Sequence, residues 1–364
     1  MFSFSFGNKR FLGIDIGYST LKAVELEARG ENVFLSNYAW MAFSQKRKDG
    51  TADANFFKTI LPEYLKKIIK EAGFKSRSAY ISIPAFGALI TLIDFPKMPE
   101  KDMEQAIRFE AKKYIPTSLD EVALTWEIVG EEFGASENKN GGEKGNVIKD
   151  KVKILLVAVS KNKVLAYEQA VKNAGLNLAG VEVENIAATT SLVGNDKGNF
   201  MVMDIGSRVC NLIYIEKGVI GANRNIDAGG DDLTKAIADG LGITKERAEM
   251  MKISGKNFFS PEFNINFSAL NLIIGEISRI LGNFSKNRDN FHLDALILSG
   301  GASNLAGLAN FFQQKLSVKT ITGNPFSRIK YDKKIESSLD GLKGGFSVAV
   351  GLALAGFEKK SDGQ

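Results

Sequence analysis

The chain has 364 residues, of which 44% are hydrophobic and 24% charged, and this ordinary globular composition excludes wholesale disorder. At about 150 residues per domain, the length predicts two domains. The formal net charge of +5 is small and no dense lysine and arginine block occurs, so no nucleic-acid partner is expected. A single cysteine, Cys210, excludes an internal disulfide, and a single histidine, His292, disfavours a Ser/His/Asp relay or a Cys/His metal cluster.

Membrane and export signals are weak along the whole chain. The longest uncharged apolar stretch, residues 344–357, has 14 residues, whereas a spanning helix needs about 20. The first residues, MFSFSFGNKRF, lack the apolar core of a secretory leader, so a cytoplasmic location is expected. Their alternating phenylalanines suit an edge strand, a self-association strap or an aromatic contact with the inner leaflet.

The predicted elements of the first half start with a β-hairpin over residues 11–26 that bends at 18–20. Helical spacing of apolar residues predicts an amphipathic helix over 55–72. The remaining predictions in chain order are strands 79–83 and 88–95, a helix over 100–114, strand 122–129, a mobile polar hairpin loop over 131–151, strand 152–159 and a helix over 163–174.

The second half repeats the start of the first. Strand 200–205 ends in Asp-Ile-Gly and leads into strand 211–215, as in the amino-terminal hairpin, so Asp-Ile-Gly occurs twice, 189 residues apart. Internal duplication is the simplest interpretation of this repeat. Helices over 233–241, 245–252 and 268–285 follow, and then strand 295–298 leads into a Gly-rich loop.

A strand, a tight glycine turn and a second strand can present backbone N–H groups and small hydroxyls to phosphate oxygens. Asp15 and Asp204 end the first strands of the two hairpins and are candidates to hold Mg²⁺ through water, because this ion keeps most of its waters. The candidate nucleotide-binding residues are Asp15, Gly17, Ser19, Thr20, Lys22, Asp204, Gly206, Ser207, Gly229, Gly230, Glu249, Lys252, Gly300, Gly301 and Ser303. Singly, each turn is more often structural, and Glu249 with Lys252 is equally well a solvated ion pair.

Taken in order, these motifs resemble those of the actin-like ATPase superfamily. Residues 14–17 and 204–207 look like its two phosphate motifs, 184–192 and 344–351 like its connecting helices, and 298–303 like its adenosine motif. The resemblance implies an α/β fold of the duplicated, ribonuclease H-like, two-lobed kind, and it implies binding of ATP and Mg²⁺.

Residues 95–130 and 222–238 are similar to the PilM family of type IV pilus assembly proteins, relatives of the cell-division protein FtsA. The resemblance implies a subdomain inserted in the position called 1C. The expected division is 1–84, 160–198 and 344–364 for the first lobe (1A), 85–159 for the 1C-type insertion, 199–238 and 294–343 for the second lobe (2A), and 239–293 for subdomain 2B.

The same resemblance implies a partner, the amino-terminal cytoplasmic tail of a PilN-like single-span inner-membrane protein. Met98, Met103, Ile107 and Tyr114 are the candidate groove residues, since Met and aromatic side chains line adaptable peptide grooves, although each is also a candidate core residue. The protein is thus expected at the inner membrane only through its partner. Pilus motor ATPases, the platform protein and a second copy of the chain are further candidate partners.

Two departures from the superfamily pattern concern hydrolysis. Tyr18 is bulkier than the small residue expected in the first turn, and Arg208 stands where active enzymes commonly have threonine. Glu104 and Glu110 are weak candidates for positioning the attacking water, so any ATPase activity is expected to be weak. The competing functions are an FtsA-like or cytoskeletal filament-forming ATPase and a sugar-kinase-like phosphotransferase, for which no Asp-bearing substrate loop is recognised.

Overall fold

The computed structural model describes residues 9–44, 54–132, 151–286 and 291–358. The Phe-rich start and most of the polar segment 131–151 lie outside these ranges. The strands in the described residues are β1 Arg10–Ile16, β2 Thr20–Arg29, β3 Asn32–Ala42, β4 Ser78–Ile83, β5 Ala88–Pro96, β6 Val122–Glu132, β7 Lys151–Ser160, β8 Asn177–Val183, β9 Asn199–Ile205, β10 Cys210–Glu216, β11 Val219–Ile226, β12 Ala295–Ser299 and β13 Thr320–Thr322.

The helices in the same residues begin with a π-helical turn, Phe56–Ile60, that runs directly into the first α-helix. The α-helices are α1 Leu61–Ala72, α2 Glu100–Ala111, α3 Lys161–Asn173, α4 Glu184–Leu192, α5 Gly230–Leu241, α6 Lys245–Ile253, α7 Ser268–Ser285, α8 Leu308–Leu316, α9 Glu336–Asp340 and α10 Ser347–Glu358.

The first sheet has the strand order β3-β2-β1-β4-β8, with β1 antiparallel to β2 and parallel to β4. Helices α1 and α3 cover one face, where Leu61 and Tyr167 are fully buried. Helices α4 and α10 cover the other face. Gly13 permits this packing, since a Cβ there would lie 2.1 Å from the carbonyl oxygen of Ala349 in α10.

The second sheet has the order β11-β10-β9-β12-β13 and repeats the first strand for strand. β9 is antiparallel to β10 and parallel to β12, as β1 is to β2 and β4. Helices α5, α7 and α8 contribute Leu233, Ile277 and Phe312 to the core of this half. The duplication predicted from the two Asp-Ile-Gly segments is therefore a duplication of the whole five-stranded unit.

A third, three-stranded antiparallel sheet, β5-β7-β6, lies between β4 and α3 in the chain. Helix α2 packs on it, and Met103 and Ile107 are buried in the shared core with Ile154 and Leu156. Its position in the chain is that expected for the inserted subdomain. The exact limits of the lobes and subdomains stay a prediction.

Every strand and helix predicted over described residues is present, but four strands were not predicted: β3, β8, β11 and β13. The helix expected over 100–114 ends at Ala111, and the N–H of Tyr114 bonds to the Ala111 carbonyl in a turn at 3.0 Å. Among the described residues, no single helix is long and apolar enough to span a bilayer. The segments 333–340 and 343–357 pass that test only as a pair, bent by 96°.

Candidate functional site

Two β-turns of the same geometry form the centre of the site. In the first, between β1 and β2, the N–H of Gly17 donates to the carbonyl of Thr20 at 3.0 Å. In the second, between β9 and β10, the N–H of Gly206 donates to the carbonyl of Val209, also at 3.0 Å. A Cβ on Gly17 would lie only 2.9 Å from the Thr20 oxygen, so this tight turn requires glycine.

The two aspartates are held in the same way, each by a serine on the neighbouring parallel strand. Ser82 of β4 donates to Asp15 Oδ1 at 3.1 Å, and Ser299 of β12 donates to Asp204 Oδ1 at 2.9 Å. Both aspartates are buried, with 5% and 8% of their surface exposed. They nevertheless line one cavity of about 790 Å³, each from its own half of the chain.

The cavity brings together most of the residues singled out from the sequence. Thirteen of the fifteen candidate nucleotide-binding residues line it: Asp15, Gly17, Ser19, Thr20, Lys22, Asp204, Gly206, Ser207, Gly230, Glu249, Lys252, Gly300 and Gly301. The other two, Gly229 and Ser303, do not. A Cβ on Gly229 would be 2.6 Å from the Ser207 carbonyl, and Ser303 is buried with its hydroxyl donating to the Gly300 carbonyl at 2.7 Å, so both lie behind the lining and support it.

Lys252 forms a network at the edge of the cavity. Its Nζ donates to the Gly230 carbonyl at 3.0 Å and to Thr234 Oγ1 at 2.7 Å, and it pairs with Glu249 at 2.7 Å. Thr234 also contacts Glu249. The Lys252 side chain is 12% exposed, so the pair is tied to the start of α5 and is more than a solvated ion pair.

The candidate catalytic carboxylates Glu104 and Glu110 do not line the cavity. Both lie on α2, where Glu104 is exposed and Glu110 pairs with Lys113 at 2.8 Å. Of the groove residues, Met103 and Ile107 are 3% and 0% exposed, which makes them core residues that cannot contact a partner. Tyr114 is 41% exposed, and Met98 is half-buried against the same core.

A carboxylate that the sequence reasoning missed, Glu184, lines the cavity beside both aspartates. Its Oε1 accepts the backbone N–H of Ala85 at 3.0 Å and Asn211 Nδ2 at 2.8 Å. Burial, together with the charges of Asp204 and Asp15, raises the pKa of Glu184 from 4.5 to about 7. Burial and the Asp15 charge also raise the pKa of Asp204. The sequence drew attention to this region, because Glu184 is the first residue of the segment similar to a connecting helix.

Acidic side chains outnumber basic ones around the cavity. The charged lining residues are Asp15, Glu184, Asp204, Asp227, Asp231 and Glu249 against Lys22, Lys163, Arg208 and Lys252. A polyphosphate therefore needs accompanying cations to enter here. Within the described ranges, no three His, Cys, Asp or Glu side chains are grouped closely enough to hold a metal by themselves. This donor set suits an ion that keeps most of its waters.

The protein has two five-stranded units of one topology, and the turns of both units line one cavity. This arrangement defines the actin-like ATPase fold. The fold is similar to that of MreB5 of Spiroplasma citri bound to ADP, with a TM-score of 0.51 and 12% identity over 98% of this chain and 99% of that one. The cell division protein FtsA of Bacillus subtilis is 21% identical over 257 residues. The match covers 67% of this chain and 58% of FtsA, so it spans little more than half of that relative's length.

The model of the family described as type IV pilus assembly protein PilM matches residues 13–357. The chain therefore belongs to the PilM family. A solved PilM–PilN type IV pilus biogenesis complex is similar with a TM-score of 0.76 and 26% identity, over 96% of this chain and 99% of that one. The chain is thus an actin-like protein of type IV pilus assembly.

Proposed function

We propose that this protein binds ATP with Mg²⁺ between its two glycine turns and, in that state, recruits the amino-terminal cytoplasmic tail of a PilN-like inner-membrane protein. The observation that carries the proposal is that Asp15 and Asp204, near the ends of the equivalent strands β1 and β9, line one cavity. That MreB5 binds ADP in a similar fold supports the nucleotide. The PilM–PilN complex supports the partner.

In this proposal the two turns hold the phosphates with backbone N–H groups, and Lys22 adds a positive charge. Lys22 Nζ is 3.4 Å from Asp15 Oδ2, so it sits beside the first aspartate. Gly300 and Gly301 let the backbone approach the nucleoside, and Glu249 and Lys252 reach the ribose hydroxyls. Asp15 and Asp204 would hold Mg²⁺ through water, and the ion would supply positive charge against the phosphates.

Glu184, in place of Glu104 and Glu110, is the residue we assign to orienting water beside the phosphates. It is a cavity-lining carboxyl fixed by two donors, and a pKa near 7 suits a group that accepts a proton at neutral pH. In this proposal Glu184 supports a slow hydrolysis.

The partner surface needs revision, since Met103 and Ile107 are core residues. Phe109 and Tyr114, at the end of α2 and in the turn after it, are 69% and 41% exposed. We assign the tail-binding surface to these two exposed aromatic side chains, which lie among the charged residues Arg108, Lys112 and Lys113. A membrane-embedded partner would hold the protein at the cytoplasmic face of the inner membrane.

The test of the nucleotide site is calorimetric titration of ATP with and without Mg²⁺ into wild type, Asp15→Asn and Asp204→Asn. Asparagine keeps the size and the acceptor for Ser82 or Ser299 but removes the charge. We expect each variant to bind ATP–Mg²⁺ about 10- to 100-fold more weakly, as for a lost charged interaction of about 1.5–3 kcal/mol.

Asp120→Asn is the matched control, because Asp120 is exposed and lies away from the cavity. It should bind ATP–Mg²⁺ as wild type does. Unchanged ATP–Mg²⁺ affinity in both Asp15→Asn and Asp204→Asn would refute the assignment of the site. A wild type that binds no ATP would refute the proposal that the protein binds this nucleotide.

A further inference from the structure

The tips of the two turns touch across the cavity. Arg208 of the second turn donates from Nη1 to the hydroxyl of Tyr18 in the first turn at 3.2 Å. Its guanidinium carbon lies 5.5 Å from the centre of the Tyr18 ring. Both residues line the cavity, so this contact joins the two halves at the place where the turns face each other.

Arg208 is also held from its own half. Its Nε donates to Asp227 Oδ1 at 3.4 Å, just beyond the end of β11. These two contacts, one across the cavity and one within the second half, fix the guanidinium at two of its three nitrogens. A guanidinium has five N–H donors in a planar fork, so one arginine can contact several groups at once.

The ion pair between Arg208 and Asp227 contributes little to folding stability. The Arg208 side chain is 35% exposed and Asp227 is 66% exposed, and ion pairs at such exposure contribute little to stability. Ordering a long side chain also costs conformational entropy. Arg208 lines the cavity beside Ser207, so its guanidinium lies where an anionic ligand in the cavity would meet it.

The chemistry of the cavity indicates which ligand. Asp15, Asp204 and Glu184 all face it, so an anion there needs a fixed positive charge nearby. Arginine matches the oxygens of a phosphate better than lysine does, because its planar fork donates two parallel hydrogen bonds. In the proposed function, the outermost phosphate of a nucleoside triphosphate lies between the two turns.

We propose that Arg208 binds the outermost phosphate of a nucleoside triphosphate, with Tyr18 and Asp227 as positioning residues, so that the two turns are joined through the triphosphate. This inference rests on the proposed function. It adds selectivity for the triphosphate over the diphosphate, because a diphosphate lacks the group that Arg208 contacts.

The experiment measures the dissociation constants of ATP and ADP, each with Mg²⁺, for wild type, Arg208→Gln, Arg208→Lys and Tyr18→Phe. Arg208→Gln should weaken ATP binding about 10- to 30-fold and ADP binding less than about 3-fold. Arg208→Lys should restore part of the ATP affinity. Tyr18→Phe removes only the hydroxyl, so it should speed ATP dissociation about 3-fold and leave ADP dissociation unchanged.

Arg224→Gln is the matched control, since Arg224 is an exposed arginine of β11 outside the cavity. It should leave both affinities unchanged. Equal losses of ATP and ADP in Arg208→Gln, or no loss of either, would overturn the assignment of Arg208 while leaving nucleotide binding intact. A wild type that binds neither nucleotide would overturn the proposed function as well.

Discussion

The half-buried carboxyl of Glu184 makes folding stability depend on pH, and its replacement by glutamine tests that dependence. Ala85 N–H and Asn211 Nδ2 both donate to the same atom, Oε1 of Glu184. A glutamine can offer its single carbonyl oxygen to both donors, so Glu184→Gln can keep the two hydrogen bonds while it removes the titration and replaces Oε2 with an NH2 group. We therefore expect this variant to fold.

The sign follows from the direction of the pKa shift. Because the folded-state pKa of Glu184 is raised from 4.5 to about 7, the folded chain holds this proton more tightly than the unfolded chain. The stabilisation is fully present below pH 4.5 and is lost as the pH rises through about 7. This pKa difference corresponds to roughly 3 kcal/mol, an upper value because the carboxyl faces the cavity, where water reaches it.

The assay is urea unfolding of nucleotide-free protein, with EDTA present, at several pH values between 5 and 8. The free energy of unfolding of wild type relative to Glu184→Gln should fall by up to roughly 2.5 kcal/mol between pH 5 and pH 8. This is less than the full loss, because about a quarter of the stabilisation has already been lost at pH 5. Glu168→Gln, an exposed glutamate of α3, is the control and should follow wild type. Parallel stability curves for wild type and Glu184→Gln would show that Glu184 ionises normally.

Two further predictions concern α2 and the surface at its end. A peptide copying the cytoplasmic tail of the PilN-like partner should bind Phe109→Ala and Tyr114→Ala at least about 10-fold more weakly than wild type, as expected for anchor residues. The measurement is a fluorescence anisotropy titration with ATP–Mg²⁺ present. Leu272→Ala, which changes an exposed residue of α7, is the control and should bind the peptide normally. Equal binding by all variants would place the tail elsewhere. Ile107→Ala should lower the free energy of unfolding by about 2–5 kcal/mol in urea titrations, whereas Phe109→Ala should change it by less than about 0.5 kcal/mol. The reverse order would mean that α2 presents its other face to the sheet.

The sequence predicted those elements whose pattern is set by local burial. β1 and β9 are buried over most of their length, and α1 has a clear apolar face. The missed strands lie at sheet edges or are short. β3 is mostly half-exposed along its length, and β13 has only three residues, two of them exposed. Such strands are set by pairing with a neighbour, which no local pattern records.

The errors at the site have different physical causes. Met103, Ile107 and Ala111 recur every four residues, a spacing typical of the buried face of a helix, so the sequence did contain the sign that they are core residues. Glu184 opens the segment similar to a connecting helix, but no local pattern shows that its carboxyl lines the cavity. Its environment comes from Ala85, Asp204 and Asp15, all distant in the chain, and only the fold assembles them.

The duplication explains why the two halves share a framework. Differences at equivalent positions explain why they form a single proposed nucleotide site together. Opposite Asp15 the antiparallel partner is Lys22, whereas opposite Asp204 it is Asn211, which donates to Glu184 instead. Beyond β12 the chain turns at Gly300, where φ is +86° and a Cβ would lie 2.3 Å from the Ile205 carbonyl. Beyond the equivalent strand β4 it passes through Pro84 and Ala85 into the three-stranded sheet. In the proposed function, the second half therefore receives the nucleoside, while the first half, through Ala85 and Glu184, connects the phosphates to the inserted unit.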